Sequence, residues 1–340
     1  MSGQREIVIG KPDDMHLHFR QGGRMKSVVP MTARQFGRAI VMPNTAPYIR
    51  TVDEAAFYRD MIMEAVPAGV KFTPLMTLYL QTTMSPDTIR KAKRSGFIHG
   101  IKMYPAGATT NSQGGVVKMQ DVEEQLRVME EVDMPLLIHG ESANPDDDVF
   151  ERESIFYSEA FTWITETFPN LRLSCEHITT RKAVEMIEGA PKHLRLGATI
   201  TPQHLLENRN YMLGGTLRPH AFCKPILKTE DDREALLKAA TSGNPRFFLG
   251  TDSAPHPKQG ETGKAKECDC GCAGCFTAHA AIELYAEAFD QAKELGRLYD
   301  FASVFGAQFY ELPRNEGVLR LVHESWTAKP SYGFGDNEVV

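Results

Sequence analysis

PLLIHGE, residues 135–141, is an unbroken apolar run that ends on His139. A strand with no polar alternation is covered on both faces, as a parallel strand between layers of helix must be. RFFLGTD, residues 246–252, repeats the pattern and ends on Asp252. Outward from these two, apolar or β-branched runs recur at 6–19, 38–44, 71–80, 98–104, 172–178 and 194–202, which makes eight in all. Segments of helical character lie between them, at 52–66, 120–132, 149–167 and 231–241. Pro67, Gly96, Pro135, Pro169, Gly189 and Gly243 punctuate the junctions. The intervals from His18 to Asp252 average about 33 residues, the size of a strand–helix–strand repeat. Eight such units predict an α/β fold, a (β/α)8 TIM barrel, in a single domain over 1–340. Its barrel strands fall within about 6–254, followed by two helices and a Gly-rich polar tail over 276–340. An open doubly wound sheet is the alternative. No GxGxxG or P-loop pattern follows the first run, so a nucleotide-binding form of that sheet has no support.

Composition agrees with a globular chain. Of 340 residues 42% are hydrophobic and 24% charged, which excludes disorder. The net charge of −6 argues against nucleic acid or an anionic membrane surface as partner. No apolar run approaches the ~20 residues of a membrane span. The N-terminus has no basic start, long apolar centre or small-residue cleavage site, so no secretory signal is expected. Six cysteines are too sparse for a disulfide scaffold and read as reduced thiols of a cytoplasmic protein.

The polar residues at the ends of the runs carry the functional signal. The first run ends His16-Leu17-His18, and strand alternation puts both imidazoles on one face. The fourth carries Lys102, the fifth ends at His139, the sixth at His177 and the eighth at Asp252. Active sites of such barrels gather at this end of the strands. Each residue alone has an ordinary structural reading, a hydrogen-bonded histidine or a capping aspartate. Four His and one Asp converging on one barrel mouth are costly to bury unless something pairs them, and a divalent metal does so. Imidazole and carboxylate suit zinc, with nickel, cobalt or manganese as substitutes. Lys102 has two readings: a salt bridge to Asp252 or Glu141, or a carbamate whose two oxygens bridge two metals. The loop 105–115, PAGATTNSQGG, follows Lys102 at the active face and reads as a lid.

DDMHLHFR, VMPNTAP, KMYPAGATTNS, PLLIHGE, EHITT, ATITPQHL, RPHAFCKPILK, FLGTDSAPH and CGCAGCF occur in this order between about 8 and 325. The set resembles the dihydroorotases of the shorter bacterial type, within the amidohydrolase superfamily. The resemblance implies a TIM barrel with two zinc ions, which interconverts N-carbamoyl-L-aspartate and L-dihydroorotate in pyrimidine biosynthesis. It further implies that His16, His18 and Asp252 hold one zinc and that His139 and His177 hold the other. Lys102, carboxylated on its amine (N6-carboxylysine), and a hydroxide would bridge the pair. By the same resemblance Asp252 is the general base and acid, and Arg20, Asn44 and His256 bind the substrate carboxylate. Backbone groups near Lys224 and Ala273 complete the cradle, and Thr109 and Thr110 belong to the mobile loop. A homodimer is implied as well.

Two features depart from the family. Lys224 stands where an apolar residue is usual, and the family continues somewhat beyond a turn like Asp336-Asn337. The cluster Cys268, Cys270, Cys272 and Cys275 is spaced more tightly than paired zinc hooks, and the resemblance makes it a substrate-side loop of free thiols. Cys175 and Cys223 read as small buried hydrophobes, His204, His220 and His279 as residues outside the strand-end pattern, and His99, His193 and His323 as surface residues. Two other functions compete. A related opener of hydantoins, dihydropyrimidines or allantoin would not need the carboxylate clamp of Arg20, Asn44 and His256. A scaffold that has lost its metals and only supports aspartate transcarbamoylase is opposed by the six filled ligand positions.

Overall fold

The computed structural model describes residues 6–258, 272–335 and 340. Eight strands form one sheet in chain order, every neighbouring pair parallel. They are β2 (Asp13–Leu17), β3 (Arg38–Val41), β4 (Thr73–Tyr79), β5 (Ile98–Met103), β6 (Leu136–His139), β7 (Leu173–Glu176), β8 (Leu196–Ile200) and β9 (Phe247–Leu249). Helices cover the outside. Several begin on a threonine that caps their first turn, as Thr51, Thr180 and Thr229 do. The outer layer buries residues such as Val41, Leu78, Ile101 and Ile138 against the helices. A second cluster, Met15, Ile40, Leu75, Leu137, Phe248 and Tyr310, packs separately from it.

The sheet closes into a barrel through a short seam. The His18 amide donates to the Ser253 carbonyl at 3.0 Å, and the Asp252 amide to the His16 carbonyl at 2.8 Å. Beneath them the buried Asp14 carboxylate accepts from the Thr251 amide at 2.9 Å and the Thr251 hydroxyl at 2.6 Å. The pairing of β2 with β3 shifts register between Asp14 and Leu17, yet His16 and His18 both face Asp252, as alternation predicts. A side chain at Gly250 would meet this seam: an added Cβ would lie 2.6 Å from Thr199 and 3.1 Å from the His16 Cβ.

Three expectations are corrected. The first run, 6–19, is two strands, because Pro12 has no amide to donate to a ladder. β1 (Glu6–Gly10) leaves the barrel and pairs antiparallel with β10 (Val318–Val322). The expected helices and tail of 276–340 therefore contain a strand, and three helices, Ala281–Gln291, Leu298–Ser303 and Phe305–Phe309, precede it. His99, expected at the surface, is half-buried, and burial with Arg38 and Lys93 nearby pushes its imidazole down to about 4. Among the described residues no helix is long and apolar enough to cross a membrane.

Candidate active site

The C-terminal ends of the strands bring the strand-end residues together. Asp252 Oδ1 lies 3.1 Å from His18 Nε2 and 3.4 Å from His16 Nε2. One donor atom from each of these three residues falls within 4.8 Å of the others. The rings of His16 and His177 are 4.8 Å apart and those of His177 and His139 4.7 Å, all edge-on. Asp252 and His177 sit just past their strands in left-handed backbone, at φ 46° and 41°. That conformation is costly for residues other than glycine and tends to accumulate at functional sites.

Three buried nitrogens here have no hydrogen-bond partner: His16 Nε2, His177 Nδ1 and Lys102 Nζ. Lys102 is 0% exposed, and a buried ammonium left unpaired costs several kcal/mol or more, roughly. The salt bridge to Asp252 or Glu141 is absent, since Asp252 faces His16 and His18 while Glu141 lies 2.6 Å from His139 Nε2. Burial lowers the Lys102 amine to about 8. Burial also lowers His18 to about 4 and His177 well below the usual imidazole range, so both rings present lone pairs at neutral pH. Burial alone would raise the Asp252 carboxyl, but the His16 and His18 imidazoles facing it outweigh that and hold it well below the usual range. Neutral imidazoles, a carboxylate and orphaned nitrogens facing one space fit a divalent metal.

The rings are aimed from behind. Glu176 Oε2 makes a short hydrogen bond with His16 Nδ1 and so turns Nε2 toward Asp252. Ser174 in turn donates to the other Glu176 oxygen. Glu141 does for His139 what Glu176 does for His16, the usual way a ligating ring is fixed. The sequence reading passed over Glu176. Its signal was position alone, two residues after Ser174 on one face of β7.

Above the donors lies a cavity of about 340 Å³, counting the part open to solvent. Arg20, Asn44, Thr109, Thr110, Lys224 and Ala273 line it together with His16, His18, His139, His177 and Asp252. So does Tyr104, also missed from sequence, whose buried hydroxyl has no partner. Arg20, at φ 63°, donates from Nε to the Pro255 carbonyl at 2.8 Å. His256 stands against Arg20 rather than on the cavity wall, its Nε2 3.0 Å from Arg20 Nη2 and 3.1 Å from the Ala273 carbonyl. The lid loop lies down on the cavity. Asn44 Nδ2 donates to the Thr110 carbonyl at 3.0 Å, and Asn111 Nδ2 donates back to the Asn44 carbonyl at 3.0 Å.

The sequence model of the amidohydrolase family matches residues 9–321. The dihydroorotase of Stutzerimonas stutzeri is 52% identical over 334 residues, which cover 98% of this chain and 94% of that one. That of Pseudomonas aeruginosa is 53% identical, with the same coverage. The chain belongs to the dihydroorotases of the amidohydrolase family. A dihydroorotase structure from Campylobacter jejuni superposes at a TM-score of 0.88 with 34% identity, over 100% of this chain and 95% of that one. A dihydroorotase from Saccharomyces cerevisiae in complex with 5-fluoroorotic acid reaches 0.82 with 35% identity, over 91% and 86%. An Arthrobacter aurescens hydantoinase at 15% identity shares the fold alone.

Within this dihydroorotase frame the remaining cysteines and histidines fall into place. Cys175, Cys223, Cys272 and Cys275 are buried, while Cys268 and Cys270 lie outside the described residues, as do Asp336 and Asn337. His204 is structural: its ring nitrogens stand 2.7 Å from the Thr201 hydroxyl and 3.0 Å from the Pro225 carbonyl.

Proposed function

We propose that this chain cyclises N-carbamoyl-L-aspartate to L-dihydroorotate and water, reversibly, in pyrimidine biosynthesis, with two zinc ions per chain. The orphaned buried donors of His16, His177 and Lys102 beneath a cavity walled by Arg20 carry the reading. His16, His18 and Asp252 would hold one metal, His139 and His177 the other, and carboxylated Lys102 with a hydroxide would bridge them. When bound, two such ions polarise an amide carbonyl and make water acidic near neutral pH. Arg20 offers a planar fork to the substrate carboxylate, with Asn44 and, through Arg20, His256 in support. Backbone groups of Lys224 and Ala273 face the rest of the ring, and Thr109 and Thr110 exclude water from above. Asp252 takes up the proton released on ring opening at a carboxylate oxygen and returns it to the leaving nitrogen. The clamp favours this reading over a hydantoinase, whose neutral rings give Arg20 nothing to bind. A cytoplasmic homodimer completes the proposal.

Turnover of dihydroorotate and metal content, measured on one preparation made without chelator, test it. About two metals per chain and turnover in both directions are expected. Full activity with one metal or none removes the bridged pair, and equal turnover of dihydrouracil moves the assignment to a dihydropyrimidinase.

A further inference from the structure

Three tyrosines stack in a row outward from the cavity wall. Tyr104 lines the cavity, Tyr79 lies 5.1 Å from it with the rings 27° apart, and Tyr48 lies 4.3 Å from Tyr79 at 15°. Tyr104 and Tyr79 are buried, and Tyr48 is half-buried at the outer end. Near-parallel aromatic pairs of this kind gain stability beyond the area they bury. The outer leg of the lid, 111–114, rests on this row. The Tyr79 hydroxyl donates to the Asn111 carbonyl at 3.5 Å, and the Gly114 amide donates to the Tyr48 hydroxyl at 3.4 Å. Beside them Gln81 Nε2 donates to the Gly114 carbonyl at 3.4 Å. The approach is close, since a Cβ added at Gly114 would stand 2.9 Å from the Tyr48 ring.

What holds the outer leg holds the whole loop, because the loop is bonded within itself. The Ser112 hydroxyl donates to the Thr109 carbonyl at 2.6 Å and accepts from the Thr109 amide at 2.9 Å. The Ser112 carbonyl accepts from the amides of Gly107 and Gly115 at 3.0 Å and 2.9 Å. The tip is held by Asn44, whose side chain also serves the substrate in the function proposed above. Tyr48 and Tyr79 are not among the residues that line the cavity, so their hold on the loop does not compete with substrate. We propose that Tyr48 is a positioning residue, whose ring, stacked on Tyr79, seats the outer leg of the lid and so keeps Thr109 and Thr110 over the cavity. The kinetic consequences, though not the seat itself, rest on the function proposed above.

Hydrogen exchange of the segment 105–117 and steady-state kinetics are compared in the metal-loaded enzyme and its Tyr48 variants. Tyr48→Ala should speed exchange there about fivefold, the equivalent of roughly 1 kcal/mol, and leave the barrel strands unchanged. Its kcat/KM should fall about two- to fivefold. The factor is the same in both directions, since the reactants fix the equilibrium. Tyr48→Phe keeps the ring and should stay within about twofold of native in both measurements. Replacing Thr109 and Thr110 together by alanine removes what the seat presents to substrate. Adding Tyr48→Ala to that enzyme should therefore cost no further activity. Tyr48→Leu, which also removes the ring, takes over if the alanine variant does not fold. Native exchange or native kcat/KM in Tyr48→Ala overturns the role of Tyr48. So does a phenylalanine variant as impaired as alanine, or an undiminished loss in the double-alanine background. A loaded native enzyme that turns over neither substrate overturns the proposed function, and exchange alone then decides the seat.

Discussion

Glu176 would touch neither a metal nor substrate, yet it decides which way His16 faces. With the carboxylate gone, the ring can rotate or change tautomer, and Nε2 no longer points at the donors of His18 and Asp252. Glu176→Ala is expected to weaken metal binding by about ten- to a hundredfold, read by competition with a chromogenic chelator. Unchanged affinity would reduce Glu176 to a packing residue. The contrast with the histidines shows what sequence can reveal at this scale. The convergence of His16, His18, His139, His177 and Asp252 was legible because each stands at the end of a strand. Glu176 and Tyr104 were not, because their roles lie in what they face. Glu176 meets His16 across 160 residues of chain, and no local pattern reports that distance. Lys102 was half legible: its two readings part only once burial shows it without a carboxylate.

The elements were read by their apolar runs, and that method fails where a run crosses a break. The run 6–19 hid a boundary at Pro12, and VLRLV (318–322) hid a strand whose alternating exposure is that of a ribbon, not a barrel stave. The other seven barrel strands each fall within one of the expected runs. What holds their starting ends together was not visible. Asp133, in the turn before β6, pairs with Arg172 before β7, with Arg195 before β8 at 2.7 Å, and with Lys93 at 3.7 Å. Burial pushes its carboxyl up, but Arg172 and the other cations outweigh that and hold it below the usual range. Its folded value is thus lower than its unfolded one. The stabilisation is complete above the unfolded value near ~4 and is lost as pH falls through the folded value. Asp133 is 33% exposed and Glu311 still pairs with Arg172. Asp133→Asn should therefore cost only about 1–2 kcal/mol at pH 7, measured by urea denaturation. The difference from native should shrink toward pH 3, and kcat should stay the same, since this rim is opposite the site. A gap that widens on acidification would contradict the assignment.

For the whole molecule, the six proposed ligands come from five of the eight strands, so a bound metal pair ties together regions far apart in sequence. Ligands that bind only the folded state stabilise it, by about 2.7 kcal/mol when free metal is a hundred times its dissociation constant. Stripping the metals with a chelator should lower the melting temperature by roughly 5 °C or more, and adding zinc back should restore it. An unchanged melting curve after verified removal would show that the donors are held in place without the ions. The TIM barrel was legible from the count and spacing of the runs. Its closing seam was not, because Asp14 and Thr251 meet only after every strand between them is in place.

That seam sets an order of events during synthesis. Asp252, the third member of the group formed with His16 and His18, leaves the ribosome 234 residues after His18. At roughly 5–20 residues per second the gap is about 12–47 s. Throughout that interval the two imidazoles belong to a chain whose last stave has not been made, and Asp14 has no Thr251 to receive. A nascent chain can hold loosely bound ions on exposed histidines, but it has no closed site to retain them. Loading of a metal pair would therefore come late, after Thr251 and Asp252 have been made. It depends on the free ions present when the eighth strand docks, not on those present when the first ligands appear.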